Sequence, residues 1–226
     1  MGNPWIEDNQ MRYSTTLLLL AAAPFFSQGR KPDLENDQVR VLVVTEQPHV
    51  KTSLHKHDVN RVMIYLNAGK QEFVIDGKKS EVVYKAGEAK WSPAGGMHTA
   101  ELTSSEPMKI VEVEIKKPGD PAKVINTALD PPKIDKQDYH VEFENNQVRV
   151  TRVKMAAHRK VPEHEHQLNR LVVYLTDQDG TMTTADGQTT KAQHKPGEVS
   201  WGAPVKHREE NLMDKPFEAI VVEFKN

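Results

Sequence analysis

The chain has 226 residues, 37% hydrophobic and 27% charged, with a formal net charge of −2. That length admits two domains of roughly 100 residues, and the near-neutral charge offers no footprint for nucleic acid or an anionic membrane. Cysteine is absent while histidine numbers ten. Disulfides, thiolate catalysis and Cys-ligated zinc are thereby excluded, and any metal must be held by imidazole, carboxylate or amide.

Residues 17–26 read LLLLAAAPFF, with Arg12 before them and Ser27-Gln28-Gly29 after. A basic start, a short apolar stretch and a small-residue exit predict a secretory signal over 1–29, cleaved after Gly29. Ten apolar residues fall well short of the about 20 that cross a bilayer. The mature protein is therefore expected in the periplasm or secreted, with no stable membrane anchor. The ten polar residues ahead of Met11 are unusual for a signal, and Met11 is an alternative start.

From Glu35 the run ENDQVRV returns as ENNQVRV from Glu144. The segment HKHDVNRVMIYL from His55 answers HEHQLNRLVVYL from His164, and GEAKW from Gly87 answers GEVSW from Gly197. A constant spacing of about 110 residues marks a tandem duplication. It divides the chain into a first domain over 33–117, a proline- and charge-rich linker over 118–139 and a second domain over 140–226. Within each copy, β-branched or alternating runs such as 39–44, 62–66 and 110–115 predict strands. Asn67-Ala68-Gly69, Asp76-Gly77 and Asp186-Gly187 read as turns between them. Many short strands and no sustained helical period give an all-β chain of sandwich or barrel type.

Alternation along a strand turns residues i and i+2 to one face. His55 and His57 can converge, as can His164 and His166, and a later histidine in each copy, His98 or His207, can join them. Three imidazoles in a pocket suit a divalent first-row metal, iron, manganese, nickel, copper or zinc, with positions left open for substrate.

Over nearly all of each copy the chain resembles the cupin superfamily, on a His-x-His pair followed by a glycine- and proline-spaced second motif. Gly87, Pro93, Gly95 and His98 match that second motif in copy one. Gly197, His207 and Asn211 match it in copy two, where the proline is shifted to Pro204. The resemblance implies a bicupin, two tandem double-stranded β-helix (jelly-roll) barrels. It departs where the family's first motif carries a glutamate ligand, because Arg61 and Arg170 stand there. A guanidinium about 6 Å from a dication costs on the order of 5 kcal/mol at an effective dielectric of ~20. The arginine must point away, an anion must share the pocket, or no metal binds. Glu101 and Glu210, three residues past the last histidines, fall on the opposite face by strict alternation.

Asn60, Arg61 and Tyr65, with Asn169, Arg170 and Tyr174, are the expected substrate contacts. Trp91 and Trp201 read as barrel core, and His49, His140, His158 and His194 as surface residues. Two functions remain open at this point, beside a minor structural or storage role with the clusters as inherited relics. One is a metal-dependent, dioxygenase-like enzyme acting on a small molecule. The other is a metal-free module binding a carboxylate or sugar acid through Arg, Asn and His. Edge coverage between the two domains predicts a monomer or homodimer.

Overall fold

The structure, a computed structural model, describes residues 30–226; the expected signal peptide lies outside the described residues. The first copy runs through β1 (Leu34–Glu35), β2 (Val39–Glu46), β3 (His55–His57), β4 (Arg61–Tyr65) and β5 (Gly69–Ile75). It continues with β6 (Lys78–Tyr84), β7 (Glu88–Ser92), β8 (Gly95–Leu102) and β9 (Met108–Ile115). One short helix, α1 (Pro131–Ile134), precedes the second copy. That copy comprises β10 (Tyr139–Glu144), β11 (Val148–Met155), β12 (Lys160–His166), β13 (Arg170–Tyr174) and β14 (Gln178–Thr184). It ends with β15 (Thr189–His194), β16 (Val199–Gly202), β17 (Val205–Asn211) and β18 (Phe217–Phe224).

Each copy folds into a five-stranded and a four-stranded antiparallel sheet. The orders are β1-β2-β9-β4-β7 with β3-β8-β5-β6, and β10-β11-β18-β13-β16 with β12-β17-β14-β15. The predicted turn at Asp76-Gly77 closes the β5–β6 hairpin with both φ angles positive, 49° and 75°. That is the primed turn whose twist matches paired strands.

The alternation of the central strands separates two cores. In β2, β4 and β9, Val39, Val41, Val62, Ile64, Val111, Val113 and Ile115 form one buried cluster with Val148, Val150, Leu171, Val173, Ile220, Val222 and Phe224 of β11, β13 and β18. The alternate residues face inward: Tyr65, Met108 and Ile110 in barrel 1, and Val153, Tyr174 and Phe217 in barrel 2. With each barrel supplying seven side chains and about 1.5–3 kcal/mol gained per buried Val, Leu, Ile or Phe, separating the two five-stranded sheets would expose a large apolar face on each. Trp91 and Trp201 pack against this shared core between the barrels, where the sequence had suggested a core within each.

The repeated ENxQVRV motif locks the same interface reciprocally. Asn60 donates to Gln147 Oε1 at 2.5 Å, and Asn169 donates to Gln38 Oε1 at 2.6 Å. Arg152 adds a bond to the Gly87 carbonyl at 2.6 Å. Residues 118–139 run along barrel 2. Asp130 there is buried and paired with Arg149, and Leu129 accepts a backbone bond from Glu165.

Candidate functional site

In barrel 1 the register sets His55 of β3 directly opposite His98 of β8, and alternation brings His57 to the same face. One ring nitrogen from each of the three lies within 4.8 Å of the others. His55 Nδ1 contacts the Ser53 carbonyl at 2.8 Å and His98 Nδ1 the Gly96 carbonyl at 2.7 Å. Those contacts assign the ring protons to Nδ1 and leave the Nε2 lone pairs facing inward.

His57 differs. Its Nε2 accepts from Arg61 Nη1 at 2.9 Å, and the same guanidinium donates to Glu112 Oε1 at 2.6 Å and Ser92 Oγ at 2.8 Å. Burial, then the Arg61 charge, push the His57 imidazole down to about 3, so it is neutral at ordinary pH. Arg61 therefore faces the pocket and already holds an anion, Glu112, inside it. A metal at His57 would have to displace a charge-assisted bond, so the barrel 1 donor set is pre-empted as folded.

The barrel 1 cavity has a volume of about 570 Å³ and is walled by Met63, Tyr65, Phe73, Tyr84 and Ile110. Tyr65 and Tyr84 stack at 3.8 Å. Glu46 also lines it, with Gln71 Nε2 donating to its carboxylate at 2.5 Å, and burial pushes its carboxyl up to about 7.

Barrel 2 repeats the imidazoles with different neighbours. His164 of β12 is opposite His207 of β17, and their Nε2 atoms approach to 2.8 Å. His164 Nδ1 contacts the Pro162 carbonyl at 2.9 Å, and His166 Nδ1 contacts Glu223 Oε1 at 3.0 Å. Glu223 is fixed in turn by Arg149 Nε at 2.7 Å, and Arg149 by both oxygens of Asp130. His207 Nδ1 is buried and has no hydrogen-bond partner among the described residues. Burial pushes the His207 imidazole down to about 3.

A carboxylate also enters barrel 2. Glu209 Oε1 lies 3.5 Å from His207 Nε2, while its Oε2 takes a bond from the Tyr139 hydroxyl at 3.3 Å. Arg170 follows another course from Arg61. Its Nη1 donates to the Ala203 carbonyl at 2.6 Å, and it forms no ion pair among the described residues. The cause is the neighbouring strand, where Gly202 stands in register with Arg170 as Ser92 does with Arg61. A Cβ on Gly202 would lie 2.8 Å from Arg170 Cζ, so the guanidinium lies in space that any side chain there would fill.

The barrel 2 donors fit a divalent first-row ion. Ligand atoms about 2.1 Å from one ion at right angles lie about 3 Å apart, and two imidazole nitrogens approach to 2.8 Å only with a proton or a cation between them. The cavity, about 270 Å³, is lined by Tyr139, His166, Arg170, Tyr174 and Phe217 among others.

The structure gathers all six expected histidines into two clusters, with Arg61, Tyr65, Arg170 and Tyr174 on the cavity walls. Asn60 and Asn169 line neither cavity and bridge the two barrels, because their amides point to the sheet face that the partner copy covers. That corrects the expectation that they contact substrate. His194 also departs from its expected surface role: it stacks on Tyr174 at 3.9 Å and lines the barrel 2 cavity. Glu46, Glu112 and Glu209 were not foreseen. Glu209 was readable, since it stands two residues past His207 and so shares its face. Glu112 carried only the alternation of the VEVEI run as a hint.

A cupin-domain family model matches residues 42–114, within barrel 1. No curated protein matches the chain significantly. Among solved structures, AerE from Microcystis aeruginosa aligns with a TM-score of 0.61 at 14% identity, over 87% of this chain and 97% of that one. Oxalate decarboxylase from Bacillus subtilis, described with Mn(II) centres, aligns at 0.57 and 13%, over 84% and 69%. Salicylate 1,2-dioxygenase from Pseudoaminobacter salicylatoxidans aligns at 0.57 and 10%, over 83% and 70%. At such identities the likeness is one of fold. A cupin-domain match on the first barrel, with the same paired sheets and histidine cluster in the second, gives this chain two tandem barrels of the cupin fold.

Proposed function

We propose that the protein is an exported, metal-dependent, dioxygenase-like enzyme acting on a small organic acid, with its chemistry in barrel 2. The carrying observation is the set of three inward-facing Nε2 atoms beside an arginine that has no ion pair among the described residues. A divalent first-row ion held by His164, His166 and His207 would supply Lewis-acid or redox activation of a small ligand.

The chain's own groups do the rest. Asp130, Arg149 and Glu223 hold His166 in one tautomer and orientation, the outer support that metal-ligating histidines need. Arg170 offers a buried positive charge to a substrate carboxylate or enolate, whose charge it would neutralise with little competition from water. Tyr139 can donate a proton or hydrogen bond beside the histidines, and Val153, Met155 and Phe217 keep the pocket dry. The Mn(II) centres of oxalate decarboxylase and the activity named for salicylate dioxygenase, both on this fold, support the reading. The apolar run at 17–26 supports export to the periplasm or beyond, and the shared core is compatible with a monomer or homodimer.

The test is elemental analysis of protein purified without chelator, followed by oxygen uptake with a panel of small hydroxy- and keto-acids. The expected result is bound transition metal and uptake that falls at least tenfold in Arg170→Leu. Metal near zero with no uptake on adding metal salts overturns the proposal.

Barrel 1 favours the second use, a metal-free pocket for a carboxylate or sugar acid. There Arg61 rather than a metal engages His57 Nε2. A ligand of that class should bind barrel 1 equally with and without EDTA and lose affinity in Arg61→Met.

A further inference from the structure

The two barrels have exchanged their inward carboxylates. The offset between copies pairs Glu112 of β9 with Val221 of β18, and Ala100 of β8 with Glu209 of β17. Barrel 1 thus carries its acid on the strand beside Arg61, where it neutralises the guanidinium. Barrel 2 carries its acid on the strand of the third histidine, two residues beyond it and on the same face.

We infer that Glu209 is the acidic ligand of a His₃Glu metal centre in barrel 2, replacing from β17 the carboxylate that Arg170 displaces from the first histidine motif, and that Ala100 leaves barrel 1 without such a centre. The inference rests on the metal-binding reading of barrel 2 given above. Glu209 Oε1 lies 3.5 Å from His207 Nε2, and Tyr139 spans to Glu209 Oε2 at 3.3 Å and His164 Nε2 at 3.4 Å. The carboxylate therefore lies against one imidazole nitrogen and is linked to a second through the Tyr139 hydroxyl. One carboxylate among three neutral imidazoles lowers the net charge of a bound dication to +1. That relieves the repulsion from the buried Arg170, which no carboxylate of the described residues pairs directly. In barrel 1 Glu112 reaches a histidine as well, with Oε1 3.7 Å from His57 Nδ1, but it is committed to Arg61 at 2.6 Å, and the Ala100 methyl offers no donor.

The experiment is a titration of the metal-stripped full chain with Co(II) chloride, following d–d absorption and calorimetric heat. Wild type should bind one tight equivalent per chain. Glu209→Gln should weaken that site by about 100-fold or more, since even the outer partners of metal ligands are worth 10–100-fold, and should change the d–d spectrum. Glu210→Gln, which removes the partner of Lys160 on the neighbouring position, should leave both readouts unchanged. Folding of each variant is checked by far-UV circular dichroism. An affinity for Glu209→Gln within threefold of wild type, with an unaltered spectrum, overturns the assignment. So do two equal tight equivalents per chain. Absence of any Co(II) binding by wild type instead removes the metal reading itself.

Discussion

Replacing Glu112 by Val, the residue of the sister strand at that position, isolates the arginine clamp of barrel 1. Arg61 and Glu112 have side chains only 9% and 6% exposed and are joined by a 2.6 Å bond. Removing one member of a buried pair strands the other charge, and such losses run to about 3–5 kcal/mol. Two features put the cost near the lower end. His57 Nε2 and Ser92 Oγ still accept from the guanidinium, and the adjoining cavity of about 570 Å³ can admit water. For a chain of this size each kcal/mol moves the midpoint by about 2–4 °C. The expected fall is therefore about 6–12 °C, read by thermal unfolding of the mature protein at fixed pH. Adding Arg61→Met removes the stranded charge while keeping most of the packing, and should recover most of the loss. A fall smaller than about 2 °C for Glu112→Val, or a double variant no more stable than the single one, would refute the argument that the pair is a mutual necessity.

Three further outcomes are expected. Gln147→Ala breaks the bond from Asn60 and the bond to the Lys117 carbonyl, and should cost about 1–3 kcal/mol in urea denaturation; no change would mean that the apolar core alone holds the barrels. Glu46 has its carboxyl raised from 4.5 to about 7, so between those values the folded state binds more protons than the unfolded one. Its contribution is full below about pH 4.5 and is lost as pH rises to about 7. Glu46→Gln should remove that slope and be relatively more stable than wild type at pH 8, and a slope unchanged between pH 5 and 8 would contradict the assignment. Glu223→Gln frees His166 from its charged anchor and should weaken Co(II) binding by about 10–100-fold, measured in the same titration; an unchanged constant would show that His166 is positioned by packing alone.

The sequence alone determined the duplication, the all-β character and the membership of six histidines in two clusters. These properties are local or periodic: a repeat offset, a two-residue alternation along HKH and HEH, and turn chemistry at Asp76-Gly77. Where the duplicated surfaces would meet was not legible. The Val and Ile runs of β2, β4, β9 and their copies are apolar on both faces, and periodicity cannot say which face meets a neighbouring barrel. For the same reason Asn60 and Asn169, beside the arginines in sequence, turned out to face across the interface, while the arginines faced inward. The direction of each guanidinium depended on a residue one strand away, Ser92 or Gly202, and its neutralisation on another, Glu112, or on none. Those partners are distant in the chain and adjacent only through sheet register. Tertiary structure alone therefore decided that two nearly identical histidine motifs sit in chemically different pockets.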